Sequence, residues 1–445
     1  MVFFEATEDA CRNGPRHFLS ALAGAALAHC APRSFALTAS PSVRRWPTVQ
    51  KVLDNYVGTR KIAGAVVALS YGGTPLAYPA AGRIALDSPA PFDENSICRI
   101  YSMTKPVTGV AAMTLVEDGK LRLDQPVSDV IPEWRVLRVA VDPKNSLESR
   151  PATKTMTMRN LLTHTSGLSY WTPESGGDAL PSAYRERGIT PGNYGVRLRR
   201  PGYGPQAKDL VDMIKRLAEL PLAAEPGTTW KYSIGFDVMG LVIERISGKS
   251  LDAYFRERIL EPLQMESTGF HVPASRAARL TTNYDVTPEG LGPTDARESS
   301  AWLQPPTLRA GGAGLVSTAR DFVRFGAMLL GHGTLDRVQV LRPDTVRLAC
   351  SNLLPAGVGH QAVNLITGRA VYQAGFGAGM EVTLSAEDRQ YGSVGTLNWG
   401  GAACTLWVVD PARDGNMVFM TQNMSLPLFG TILSEVRAAV ESDLV

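Results

Sequence analysis

The stretch CRIYSMTKPVTGVAAMTLVEDGK, residues 98–120, sets Ser102 three residues ahead of Lys105. Residues at that spacing share one face of a helix, so the lysine amine can reach the serine hydroxyl. A hydroxyl is a poor nucleophile until a neighbour takes its proton, and a lysine shielded from water can help to take it. Val107, Val110, Ala111, Thr114 and Leu115 recur at helical spacing, and Gly119 suits the position just past a helix end. Ser102 is therefore predicted at or just before the first turn. There the helix start offers free N–H groups and partial positive charge to an oxyanion. No other lysine in the chain has a serine three residues before it. The competing reading is that Ser102 only caps the helix.

Other chemistries have less support. There is no G-x-S-x-G, so a nucleophile elbow is absent. His164, in LLTHTSGL, sits in a turn-like stretch and reads as a buried structural histidine bonded to backbone around Ser166 and Gly167. Five scattered cysteines (Cys11, Cys30, Cys98, Cys350, Cys404) form no CxxC, and six histidines form no HExxH, so no metal site is expected. A net charge of +3 on 445 residues, with no long basic run, gives no argument for nucleic acid.

The elements that must position Ser102 follow from periodicity. TVQKVLDNYVGT predicts a helix through Val49, Val52, Leu53 and Tyr56, and AGAVVALSYGGTPLAYPAAG predicts two strands around Gly72-Gly73. Near the other end MEVTLSA, SVGTLNWGG, ACTLWVVDP and NMVFMTQN predict a meander, and GTILSEVRAAVES a closing helix. The middle reads as mostly helical. The expected fold is α/β (α+β): an antiparallel sheet built from both chain ends, flanked by helices, with a mostly helical second part. The expected division is a leader and linker over 1–45 and one catalytic domain over 46–445. Its α/β part would cover about 46–115 and 305–445, and its helical part about 116–304. Residues 170–206, rich in Gly, Pro and aromatics, are predicted to be a structureless lid or binding loop.

PRHFLSALAGAALAHCA, from Pro15, has the apolar length of a signal-peptide core and is too short to span a bilayer. Glu5, Glu8 and Asp9 do not fit a basic leader. An export signal would imply a periplasmic or secreted protein; a leader without an address would imply a cytoplasmic one. No other stretch is expected to cross a membrane.

Five segments together resemble the class C β-lactamase-like serine hydrolases. They are the Ser102 segment continued to Trp134, MTMRNLLTHTSGL, EPGTTWKYSIGFDVMGLVIERISG, GGAGLVSTARDFVRFGAMLL and GSVGTLNWGGAACTLWVVDP. The resemblance runs from about residue 46 to the end, in the expected order, and implies a β-lactamase/transpeptidase-like fold. It makes Ser102 the acyl-forming nucleophile, Lys105 its proton-shuttling partner and Tyr232 the general base. The N–H groups of Ser102 and Ala402 would form the oxyanion hole. Two departures matter: Ile234 replaces the asparagine of Tyr-x-Asn, and Trp399-Gly400-Gly401 replaces Lys-Thr-Gly. The cation for a β-lactam carboxylate is thereby lost. This variant resembles the family VIII carboxylesterases and the related acyltransferases and implies a small or medium uncharged ester as substrate, with no metal or cofactor. Trp399, Gly400 and Gly401 would wall the pocket, and Tyr101, Tyr170 and Trp171 are candidates to line it, though core packing explains them equally well. Cys404, where relatives often have glycine, is expected to fill space. The alternatives are an acyltransferase, a β-lactamase or D-amino-acid peptidase or amidase on the same site, and a catalytically silent ligand-binding protein. The sequence sets no oligomeric state.

Overall fold

The computed structural model describes residues 46–172, 179–191, 202–363, 370–385 and 392–445, all within one unit, Ser34–Val445. The predicted leader over 1–45 lies outside the described residues.

Helix α1 (Pro47–Gly58) begins with proline at its first turn and buries Val49, Leu53 and Tyr56, one apolar stripe. The backbone N–H groups of Thr48 and Val49 donate to the Asp443 carboxylate at 3.0 Å. That carboxylate belongs to the last helix, so α10 caps the start of α1. Strand β1 (Gly64–Ser70) follows, then β2 (Ala80–Gly82), paired with it antiparallel as the Gly72-Gly73 turn requires. Gly72 and Gly73 both have positive φ.

The remaining strands of the main sheet come from the C-terminal region: β3 (His360–Val363), β4 (Ala370–Phe376), β5 (Glu381–Ser385), β6 (Leu397–Gly401), β7 (Thr405–Asp410) and β8 (Gly415–Thr421). The eight strands lie in the order β3-β4-β5-β6-β7-β8-β1-β2, every pair antiparallel. Register Ala65↔Thr421 joins the first strand to the last, so both chain ends do build one sheet. Strands β3 and β4 extend the predicted meander at one edge.

Between these ends lie α2 (Thr104–Glu117), α3 (Met158–Leu162), α4 (Ala179–Glu186), α5 (Leu210–Ala218), α6 (Gly235–Ser247), α7 (Leu251–Phe255), α8 (Ala319–Leu330) and α9 (Pro343–Ala349). Helix α10 (Leu426–Leu444) ends the chain. Helix α2 is buried on nearly all sides and packs on α6. Its end is as read from the sequence: Asp118 caps it and Gly119 follows with φ +69°.

The mostly helical middle also carries a hairpin, in which Asn283–Thr287 pairs with Gly290–Asp295. One expectation needs correction. The stretch 170–206 is not wholly structureless, because α4 lies within it. Leu180, Ala183 and Tyr184 fall on one helical face and are buried, and Arg185 Nη1 donates to the Trp171 carbonyl at 2.9 Å. Prolines and glycines on either side masked that short period. Residues 173–178 and 192–201 of the stretch lie outside the described residues. Among the described residues no helix is long and apolar enough to cross a membrane, and no group of His, Cys, Asp and Glu could hold a metal ion.

Candidate active site

Ser102 sits on a 3-10 turn, Tyr101–Met103, that runs directly into α2. The turn is held from behind. Cys98 and Arg99 pair with Ser317 and Val316, and the Ile100 N–H donates to Leu315 O at 3.1 Å. The fully buried Arg99 guanidinium pairs with Asp295 at 2.6 Å and donates to Thr281 O and to Ser300 Oγ. Tyr101 has φ +40°, rare for a side chain of that size, and such backbone costs of order 1–3 kcal/mol unless its surroundings impose it. The Tyr101 hydroxyl accepts from Asn283 Nδ2 at 3.2 Å, and its ring meets Trp302 edge-on at 6.0 Å. Tyr101 thus packs in the core cluster beside the nucleophile turn.

The Ser102 hydroxyl does not cap the helix. Its Oγ lies 2.7 Å from the Tyr232 hydroxyl and 3.2 Å from Lys105 Nζ. The ammonium also donates to Gly312 O at 2.7 Å and lies 4.7 Å from the centre of the Tyr232 ring. Lys105 is 1% exposed, so its charge acts in a medium far less polarisable than water. Ser102 and Lys105 of one segment meet Tyr232 of another, with Ser102 Oγ within hydrogen-bonding distance of both partners.

Tyr232 is aimed by its neighbours. The N–H of Lys231 donates to the His164 carbonyl at 2.8 Å, and the N–H of Ser233 donates to His164 Nδ1 at 3.2 Å. One histidine therefore grips the backbone on both sides of the tyrosine. His164 has φ +56° and is fully buried; burial, then the Lys105 charge, holds its pKa well below the usual histidine range. It is neutral, with Nδ1 as acceptor. The expectation of a buried structural histidine stands, but its partners are the residues flanking Tyr232 and not the backbone near Ser166 and Gly167. Sequence separation hid this, since the contact joins residues 69 apart.

Strand β6 closes another side. A Cβ on Gly401 would lie 2.2 Å from the Ile100 carbonyl oxygen, so only glycine lets the strand approach the nucleophile turn this closely. Ala402 follows at the turn into β7. A Cβ on Gly400 would point instead at Phe429 of α10, 3.0 Å away. Gly400 therefore faces the helix layer and not the pocket side. The Trp399 ring stacks on Tyr232, with centroids 5.9 Å apart and planes at 25°.

Tyr170 meets Tyr232 at 5.2 Å, and Trp171 packs on Tyr170 and on Tyr203. Both candidates therefore join the aromatic wall around Tyr232. Sequence reading missed Phe376, 5.2 Å from Trp399, and Trp230, stacked on His360 at 4.0 Å. His360 is bonded through Nε2 to Glu381 at 2.8 Å. Trp230 lies two residues before Tyr232 in TTWKYS, and that proximity was the one available signal. Cys404 has φ +58°, explaining why glycine suits the position, and its thiol is buried on the far side of the sheet in the α1–α10 layer. Burial pushes that thiol well above the usual range, so it is an inert space filler.

The Beta-lactamase family model matches residues 49–440. This chain belongs to the β-lactamase family. Among curated relatives, it is 35% identical over 344 residues to Protein Rv1367c of Mycobacterium tuberculosis, covering 76% of this chain and 80% of that one. It is 30% identical over 426 residues to esterase EstB of Burkholderia gladioli, covering 92% of this chain and 97% of the relative. Among solved structures, EstCE1, a hydrolase with promiscuous acyltransferase activity, superposes with a TM-score of 0.71 at 25% identity, covering 90% of this chain and 100% of that one. These likenesses and the antiparallel sheet flanked by helices support a hydrolase of the β-lactamase fold.

Proposed function

We propose that this β-lactamase-family protein is a serine carboxylesterase that cleaves small or medium uncharged esters through an acyl-enzyme on Ser102. The observation that carries the reading is the contact set around one oxygen: Ser102 Oγ within 2.7 Å of Tyr232 and 3.2 Å of Lys105. As Oγ attacks the ester carbonyl, its proton passes to the Tyr232 oxygen, the general base, whose ring lies beside the Lys105 amine. The carbonyl oxygen gains negative charge and accepts from the N–H groups of Ser102 and Ala402. Collapse expels the alcohol, which takes the proton from Tyr232. Water then enters, gives its proton to Tyr232, and attacks the acyl carbonyl; Ser102 leaves and is reprotonated.

The uncharged substrate follows from Trp399. Its indole, stacked on Tyr232, stands where a carboxylate-binding cation is needed for a β-lactam. The naming of EstB as an esterase points the same way. A second reading is acyl transfer, in which an alcohol replaces water in the second step; the acyltransferase activity named for EstCE1 favours it as a side reaction.

The test uses the full chain and its Ser102→Ala variant on p-nitrophenyl acetate, butyrate and octanoate, beside a chromogenic cephalosporin. Ester turnover is expected, reduced roughly 10⁴-fold or more in the variant, with unchanged thermal unfolding. Cephalosporin turnover above ester turnover would overturn the ester reading, and full activity in the variant would overturn Ser102.

A further inference from the structure

Asp237 lies in the first turn of α6, five residues after Tyr232, and is 1% exposed. Its Oδ1 accepts the N–H of Gly312 at 3.2 Å. The carbonyl of the same Gly312 accepts Lys105 Nζ at 2.7 Å. A single glycine thus separates a buried carboxylate from the buried ammonium beside Ser102. A Cβ on Gly312 would lie 2.6 Å from Asp237 Oδ2, so the carboxylate occupies the space that any side chain there would need.

We propose that Asp237 is a positioning residue for the proton transfer, its carboxylate supplying the buried counter-charge that holds the Lys105 side chain in place beneath Tyr232. The two hydrogen bonds of the ammonium go to neutral oxygens, Ser102 Oγ and Gly312 O, and neither offsets its charge. An ammonium taken out of water without a counter-charge is costly. Asp237 meets that need without bonding directly to Nζ, which leaves the ammonium free to face Ser102 and Tyr232. The N-terminal turn of α6 adds partial positive charge that favours the carboxylate. Other ionisable groups around the cluster are Tyr232, on the segment leading into α6, and His164, which follows α3 and is neutral.

The inference rests on the Ser102 reading above and has a signature of its own. Burial pushes the Asp237 carboxyl up to about 6, with Lys105 and the Gly312 N–H opposing. The counter-charge is therefore present above about pH 6 and disappears as the pH falls through that value. A carboxyl whose pKa is raised by folding also binds its proton more tightly in the folded chain, so its ionisation subtracts stability as pH rises through the same range.

The experiment measures kcat/KM on p-nitrophenyl butyrate from pH 4.5 to 9 for the native protein, Asp237→Asn and Gly312→Ala. Thermal unfolding is followed over the same range. The native profile is expected to fall on the acid side near pH 6. Asp237→Asn should lose about tenfold to a hundredfold at pH 8 and lose that acid limb. The native unfolding temperature should rise relative to Asp237→Asn as the pH falls from 7 to 5. Gly312→Ala, which displaces the carboxylate, should reproduce the lower rate and the altered limb. A native profile flat through pH 6 would overturn the proposal even if a variant failed to fold. So would an Asp237→Asn enzyme that keeps the native limb, whether fully active or weakened only in step with its folded fraction. The Ser102→Ala comparison keeps this outcome separate from failure of the esterase reading.

Discussion

Ala65, Val67 and Leu69 of β1 point into one layer, with Trp46, Phe419 and Ile432; Val66 and Ala68 of the same strand point into the other, with the residues of α2. Both layers are apolar and both are made by the same period-two alternation. The first, between the sheet and helices α1 and α10, contains no polar group of the site, and its one cysteine is inert. The second surrounds a buried lysine, a buried aspartate and a buried histidine. The difference teaches where this fold tolerates cost. Lys105, Asp237 and His164 lie on the face where α2, α6 and β6 converge, while the opposite face joins the sheet to α1 and α10 mainly by apolar packing, with Asp443 and the Arg413–Glu441 pair as its polar ties.

That contrast yields predictions of decreasing effect on activity. Tyr232→Phe keeps the ring against Trp399 and removes only the phenol. Ester turnover should fall roughly 10²- to 10⁴-fold with little change in unfolding temperature. A parallel loss of fold would mean that Tyr232 belongs to the core and not to the chemistry. Gly401→Ala forces a methyl toward the Ile100 carbonyl and moves β6 off the nucleophile turn. Activity should drop about tenfold or more, with a destabilisation of about 1–3 kcal/mol. Unchanged kinetics would separate the strand from the oxyanion site. Phe419→Ala, in the layer behind the sheet, should cost about 3–5 kcal/mol in denaturant unfolding yet leave kcat/KM of the folded enzyme within about twofold. A large kinetic defect there would erase the distinction between the two faces.

Much of this layout is legible in the chain. Helix α1 is visible in Val49, Leu53 and Tyr56, and the four C-terminal runs are visible as strands because alternation and turn residues mark them. The Ser102–Lys105 spacing is local, so a helix start suffices to bring hydroxyl and amine together. Strands β3 and β4 and helix α4 were not read, because short periods among Pro, Gly and loop residues are weak signals. Tyr101 beside the nucleophile and Gly400 beside Trp399 could not be assigned a side from their neighbours alone. The structure turns one into the core and the other toward α10.

By itself, then, the sequence determined the local matters: which segments are helical, which strands alternate, and that one serine has one lysine a turn away. Tertiary structure decided what those residues face. Tyr232 reaches Ser102 across 130 positions because His164 grips the backbone on both its sides. Asp237 and Lys105 meet on the two sides of Gly312, where a Cβ would lie 2.6 Å from Asp237 Oδ2. Neither contact has a period or a spacing to announce it, since each depends on which elements pack together. Burial then gives these contacts their energetic weight, because a charge removed from water responds to the few groups that enclose it.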